Sequence, residues 1–292
     1  MAKVHLIDAS PYIFRAYFSI PSSMTGPDGN PVNAVYGFTN FLIRFIKDEA
    51  PTHLGIAFDE SLTTSFRNEI YPEYKAQRDL PPAELEAQLE ACRSVADAFG
   101  AVTWADDRYE ADDLIGTACA ILRKKGHGVC VVSSDKDLAQ LVDEECELLD
   151  YAKEQRYGPA EVLAKFGVRP DQLVDFLALA GDSVDNIPGV KGVGPKTAVA
   201  LLNEFGDLDS LYAGLDRIAE LSFRGAKTMG EKLERERESA FLSRELATIA
   251  VDAPARTDLR ELRLTGASRE AVEPLFEMLG FGSVLDRVPQ WA

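Results

Sequence analysis

Val4-His5-Leu6-Ile7-Asp8 is a short apolar run closed by an acid, and the arrangement recurs twice. Leu54-Gly-Ile-Ala-Phe-Asp59 and Val129-Cys-Val-Val-Ser-Ser-Asp135 end the same way. Runs rich in Val, Ile and Leu read as strands of a parallel sheet buried on both faces. Ligands of open α/β sheets bind in the crevice outside the carboxyl ends of the strands. Asp8, Asp59 and Asp135, far apart in sequence, are therefore predicted to meet at one sheet edge. Carboxylates gathered that closely repel one another and need cations between them. Hard oxygen donors suit magnesium or manganese. The pattern is that of a metal-dependent hydrolase.

Helix signals alternate with these runs. Amphipathic segments are predicted near 34–49, 82–99 and 111–125, with a short strand at 102–104, a strand at 129–133 and a short helix from Asp137. Pro-Pro-Ala-Glu84 suits a helix N-terminus. Such alternation implies right-handed βαβ units and a mainly parallel sheet. From about Pro170 helix signals take over, at 171–180, 195–205 and in a charged stretch at 230–244. The predicted domains are 1–168 and 169–292. Residues 61–79 hold Arg67, Tyr71, Tyr74, Lys75 and Arg78 but no sustained apolar stripe, which predicts a mobile, partly helical excursion from the core.

The 292 residues can bury a large core, and 46% hydrophobic with 27% charged residues is the balance of a soluble globular protein. No apolar stretch is long enough to span a bilayer, and the N-terminus runs straight into a strand, unlike a cleavable signal. Four scattered cysteines read as buried free thiols of a reducing cytoplasm. His5, inside a strand run, reads as a core residue. The net charge of −17 opposes nucleic-acid binding, for which a basic domain is the usual footprint. Nine of the acids fall in the predicted cluster, however, and binding depends on local patches.

Three motifs extend the acid set. Tyr109-Glu-Ala-Asp-Asp113 opens a helix. One acid there would serve as a cap, but Glu110, Asp112 and Asp113 exceed what capping needs. Glu110 and Asp113, three apart, share a helix face, and Asp112 reaches toward a second ion. Ser133-Ser-Asp-Lys-Asp137 adds Asp137 to Asp135, and Gly181-Asp-Ser-Val-Asp-Asn-Ile-Pro188 adds Asp182 and Asp185.

Gly189-Val-Lys-Gly-Val-Gly-Pro-Lys-Thr-Ala198 then resembles the turn of a helix–hairpin–helix DNA-binding element. Gly189, Gly192 and Gly194 let backbone approach phosphate, and the helix start near Lys196 and Thr197 favours anions. Lys191 and Lys196 add positive charge. In Tyr74-Lys-Ala-Gln-Arg78, Lys75 and Arg78 are suited to stabilise charge on a reacting phosphate, and Tyr74 to stack on a base. Arg15 is predicted to reach the same space.

In order, these pieces resemble the 5′ nuclease family: the N-terminal 5′→3′ exonuclease domain of bacterial DNA polymerase I, its stand-alone relatives and the flap endonucleases. The resemblance runs from Ile7-Asp-Ala-Ser10 with Arg15 through Pro31-Val-Asn-Ala-Val-Tyr-Gly-Phe38, Ala57-Phe-Asp59, Ser65-Phe-Arg-Asn-Glu69 and Tyr71-Pro-Glu-Tyr-Lys-Ala-Gln-Arg78 to the acidic loop and hairpin, ending near Phe281-Gly282. It implies a PIN-like α/β nuclease core, its mainly parallel sheet flanked by helices, with a helical arch at about 60–108. A helical helix–three-turn–helix domain follows, its helix–hairpin–helix at about 182–205.

The resemblance implies two Mg²⁺ or Mn²⁺ ions, one near Asp8, Asp59, Glu110 and Asp112, the other toward Asp113, Asp135, Asp137, Asp182 and Asp185. A K⁺ ion on hairpin carbonyls is also implied. The implied substrate is DNA with a 5′ flap, nick or frayed end, extending to the RNA strand of RNA–DNA hybrids. The implied protein is a monomer free of membranes, in the cytoplasm with the bacterial nucleoid. Asp8-Ala9 stands where many relatives have Asp-Gly, which spares the ligand. With no polymerase following Ala292, the chain reads as a stand-alone nuclease. Two rivals are a non-catalytic DNA-structure binder, which the full acid set opposes, and a PIN-type ribonuclease, which the hairpin opposes.

Overall fold

The computed structural model describes residues 1–60, 64–78 and 80–292. Six strands form one sheet: β1 (Lys3–Asp8), β2 (Leu54–Ala57), β3 (Val102–Trp104), β4 (Gly128–Val132), β5 (Cys146–Asp150) and β6 (Gln155–Tyr157), in the order β3-β2-β1-β4-β5-β6. All neighbours pair parallel except β5 and β6. The chain starts in the middle of the sheet, builds out to β3, then returns to the other side of β1. Strand order therefore reverses between β1 and β4, the switch point at which open α/β sheets place their ligand crevice. Asp8 pairs with Ala57, and Ile7 with Val132, so Asp8, Asp59 and Asp135 leave the sheet at one level.

The helices are α1 (Ser10–Ser19), α2 (Asn33–Glu49), α3 (Phe66–Ile70), α4 (Ala83–Ala98), α5 (Ala111–Lys124), α6 (Pro159–Phe166), α7 (Leu173–Ala180), α8 (Pro195–Phe205), α9 (Leu208–Ala213), α10 (Ala226–Arg235), α11 (Arg237–Ala247), α12 (Leu259–Leu262) and α13 (Arg269–Leu279). On one sheet face α2 and α4 bury Phe38, Leu42, Phe45 and Val95 against Ile7, Ile56 and Val132. On the other, α5 buries Leu114, Ala118 and Leu122 against Leu6 and Val131. That second core runs on without a break into α6, α7, α8 and α10 through Val162, Leu173, Leu201 and Leu233. Truncating a fully buried side chain such as Phe38 to Ala should cost roughly 3–5 kcal/mol. His5 packs edge-on to Phe45, and burial pushes its imidazole down to about 4, so it is a neutral core residue.

Several elements depart from the sequence reading. α1, α6, α9, α12, α13, β5 and β6 form where no element was predicted. The far end of the stretch 169–292 returns to the first layer. Leu264, Val272, Phe276 and Leu279 join the α2–α4 core, and the Ser268 amide donates to the Ala98 carbonyl at 2.9 Å. The excursion after β2 is also anchored in its described part. Ser65 caps α3 by accepting from the Arg67 amide, and Arg67 and Tyr74 are both buried.

Candidate active site

Asp8, Asp59, Glu110, Asp112, Asp135 and Asp185 line one 530 Å³ crevice at the carboxyl edge of the sheet, together with Lys75 and Arg78. Two hydroxyls that the sequence reading passed over orient the central pair. Ser10 donates to Asp59 at 2.7 Å, and Ser133 donates to Asp8 at 2.8 Å. The Ala111 amide, at the start of α5, also donates to Asp59 at 2.8 Å. Burial raises the Asp8 carboxyl well above the usual range, and repulsion from Asp59 and Asp135 adds to it. Asp112 is pushed up the same way, by burial and then by Asp135, Asp8 and Asp59. Asp135 is raised too, chiefly by burial, but it opens onto solvent, so water screens part of its repulsion.

These are hard oxygen donors carrying uncompensated negative charge, the donor set that suits a divalent ion such as Mg²⁺. Among the described residues no three of them form a ready-made cage.

The basic wall of the crevice is built on Glu110. Lys75 Nζ donates to Glu110 at 2.8 Å and lies 3.6 Å from Asp185, while Arg78 donates to Asp185 at 2.5 Å. Burial opposes the charges on both Lys75 and Glu110, yet the pair prevails: Lys75 is held protonated, and Glu110 below its usual range by Lys75 and Arg67. Lys75 also adopts φ +53°, a left-handed conformation that strains a non-glycine residue, and its amide is held by the Asp185 carbonyl at 3.0 Å. Strained backbone that its surroundings over-determine clusters at functional sites.

Four of the expected site residues lie elsewhere than at the surface of this crevice or of the hairpin. Asp113 does not face the crevice. It is fully buried, takes both guanidinium nitrogens of Arg67 at 2.8 Å, and accepts from the Glu110 and Ala250 amides. Arg67 in turn donates to the Leu246 and Thr248 carbonyls at 2.8 Å, so the pair ties α5 and α3 to the end of α11. Tyr74 does not offer its ring to a base: it is 3% exposed, packed with Leu177, Ile187 and Leu246, and its hydroxyl reaches Glu110 and Asp185 at 3.2 Å. Arg15 lines a different cleft, on another face of α1. Gly189 is buried rather than presented to phosphate. Its amide donates to Ser243, its carbonyl accepts from Ser239, and a Cβ there would lie 2.3 Å from the Gly181 amide nitrogen.

Asp137 and Asp182 lie beside the crevice rather than among its lining residues. Burial and Asp135 raise Asp137 to about 7, and Asp182 accepts from Lys136 at 2.5 Å. In the hairpin, Lys191, Gly192, Gly194 and Lys196 are exposed, with Thr197 half-buried at the start of α8. Lys232 of α10, which nothing in the sequence flagged, places its ammonium 3.0 Å from where a Cβ of Gly192 would stand. Gly192 itself adopts φ +81°, a conformation that favours glycine.

The chain resembles known proteins along nearly its whole length. Residues 3–167 match the model of the 5′-3′ exonuclease N-terminal resolvase-like domain, and residues 168–270 that of the 5′-3′ exonuclease C-terminal SAM fold. The chain is 39% identical over 290 residues to DNA polymerase I of Bacillus subtilis, covering 98% of this chain and 32% of that protein. It is 41% identical over 286 residues to DNA polymerase I of Pseudomonas aeruginosa, covering 98% and 31%. The chain thus spans about a third of the length of the curated relatives it matches.

Among solved structures, bacteriophage T5 5′-exonuclease with bound divalent zinc superposes with TM-score 0.66 at 21% identity, covering 95% of this chain and 99% of that one. The catalytic core of Rad2 in complex with DNA substrate gives TM-score 0.64 at 14% identity, covering 98% and 91%. At such identities the likeness is one of fold. With the two family models matched one after the other over residues 3–270, which hold the acidic crevice and the hairpin, the chain belongs to the 5′-3′ exonuclease family.

Proposed function

We propose that the chain is a structure-specific 5′ nuclease that hydrolyses DNA phosphodiesters at flaps, nicks and frayed 5′ ends, using two Mg²⁺ or Mn²⁺ ions. The observation that carries this is the crevice itself: six carboxylates and two cations converge at the switch point of the sheet. When bound, the ions would activate water and neutralise charge on the reacting phosphate. Asp8, Asp59 and Asp112 would hold one ion, and Asp135 and Asp185 the other, with Asp137 and Asp182 supporting from behind.

The protein's own part is positional and electrostatic. Ser10 and Ser133 fix the Asp59 and Asp8 carboxylates, so the ligands need not reorganise. Lys75, pinned by Glu110, is a protonated donor aimed into the crevice, with Arg78 at its mouth. Together they would stabilise charge that develops on the phosphate oxygens. The exposed hairpin with Lys191, Lys196 and Lys232 would grip the duplex backbone, and a K⁺ ion on its carbonyls would brace it. RNA strands of hybrids fall within the same chemistry. The protein would act as a monomer in the cytoplasm with the nucleoid; no helix among the described residues is long and apolar enough to cross a membrane.

A DNA flap labelled at its 5′ end tests the reading. Cleavage should appear with Mg²⁺ or Mn²⁺ and vanish in excess EDTA. Strong cleavage in metal-free buffer would sink it.

A further inference from the structure

A second cleft, of 320 Å³, lies behind α1. Ser10 and Phe14 of that helix face the acidic crevice, whereas Tyr12 and Arg15 face the cleft. Asn40 and Arg44 of α2 form its opposite wall, and Tyr151 and Glu154, just before β6, close one end.

Two features mark it as more than a surface dent. Tyr12 is 6% exposed; the Tyr151 backbone amide approaches its oxygen, but its O–H proton has no acceptor among the described residues. The ring is stacked on Phe41 with centroids 3.8 Å apart and planes 8° from parallel, so the hydroxyl cannot swing out to water. A buried O–H without an acceptor is destabilising, and an acceptor from outside the chain would relieve it. Asn40 Oδ1 is likewise buried without a donor, which an ordered water can supply.

The second feature is charge. In a chain where most arginines are paired, Arg15 and Arg44 have no carboxylate within 4.0 Å among the described residues. Glu154 is the one acid on the rim, and Tyr151 is already committed to Asp48 at 2.7 Å. Two guanidiniums without a carboxylate partner and a fixed hydroxyl donor line this one cavity, a set that matches the oxygens of a phosphate, which guanidinium forks recognise well.

We propose that this cleft binds a phosphate, and that in the working enzyme it is a backbone phosphate of the DNA strand that is not cut. The assignment to DNA rests on the nuclease reading; the phosphate chemistry does not. α1 stands between the cleft and the crevice, and a helix with its side chains is about 10–12 Å across. That is close to the width of the DNA major groove, about 12 Å, so phosphates on the two strands flanking a groove can occupy both pockets at once. Contact with both strands would set where the cut strand enters the crevice.

The test has two arms. In the first, inorganic phosphate is titrated into the metal-free protein while the Arg15 and Arg44 Nε–H signals are followed by NMR; both should shift, and by several-fold less in Tyr12→Phe. In the second, binding of a nicked duplex is measured in calcium at 50–200 mM salt. Arg44→Gln should weaken it about fivefold or more and lower the slope of log K against log salt by about 0.9, the loss of one phosphate contact. Unshifted signals with unchanged binding by Arg44→Gln would overturn the proposal. Shifted signals with unchanged duplex binding would remove the DNA strand and leave a site for a free phosphate compound. If the wild-type protein bound phosphate in the cleft but neither bound nor cut DNA, the nuclease reading would fall and the cleft would stand.

Discussion

Asp112 and Asp113 are neighbours in sequence with the same chemistry, yet they sit in opposite electrostatic environments. Asp113 points into the protein, where Arg67 meets both its oxygens and two backbone amides complete its shell. Asp112 points into the crevice among Asp135, Asp8 and Asp59, and burial with their repulsion drives its carboxyl up. One helix start thus carries a finished ion pair on one side and an unfinished one on the other. The finished pair holds the architecture together; the unfinished cluster is, on the function proposed above, where cations from outside the chain would bind. Acid count alone does not separate these roles. The partners do.

The largest effect should come from the finished side. Arg67→Ala leaves Asp113 buried and unpaired, and breaking such a pair costs about 3–5 kcal/mol. Urea unfolding should show that loss; a change below about 1 kcal/mol would mean the pair is ornamental. On the unfinished side, Asp135→Asn should lower saturating turnover about a hundredfold or more while leaving duplex binding intact, because its charge matters as the transition state forms. Near-normal turnover would make Asp135 a turn residue. The smaller effects separate the crevice's own cations from the hairpin. Lys75→Ala should lower single-turnover cleavage with little change in affinity, whereas Lys196→Ala should weaken binding and reduce its salt slope by about 0.9. A Lys75→Ala variant that lost only affinity would make the basic wall a grip.

Much of this was legible in the sequence, for a local reason. Apolar runs that end in acids announce both a strand and the level at which its acid emerges, so Asp8, Asp59 and Asp135 could be placed together. α8 was bounded by Pro195 at its start and Gly206 after its end, the asymmetry that marks helix termini. β5 and β6 were not legible: Cys146–Asp150 alternates in no clear way after an acidic stretch, and Gln155–Tyr157 is a three-residue edge strand. Three of the four departures at the site share one cause, partners brought in by the fold, and the fourth, Arg15, turns on a helix face. Nothing near Asp113 foretells Arg67, 46 positions earlier. Tyr74 sits among charges that suggest a surface, yet Leu177 and Leu246 from the other half of the chain cover it. Arg15 lies seven residues after Asp8, but its face of α1 points away from the acid. Gly189 has the composition of a phosphate loop and the contacts of a packing glycine.

The contrast between the two neighbouring aspartates gives the most direct test of the whole account. Thermal unfolding of Asp112→Asn and Asp113→Asn should be followed in EDTA and then with added Mn²⁺. In EDTA, Asp113→Asn should melt several degrees below wild type, at roughly 2–4 °C per kcal/mol for a chain of this class. Asp112→Asn, relieved of repulsion, should melt at or above the wild-type temperature. Mn²⁺ should then raise the wild-type melting temperature, as a ligand of the folded state must, and raise that of Asp112→Asn far less. Asp112→Asn melting well below wild type in EDTA, while keeping the full Mn²⁺ response, would contradict the claim that the crevice acids are an unfinished cluster awaiting metal.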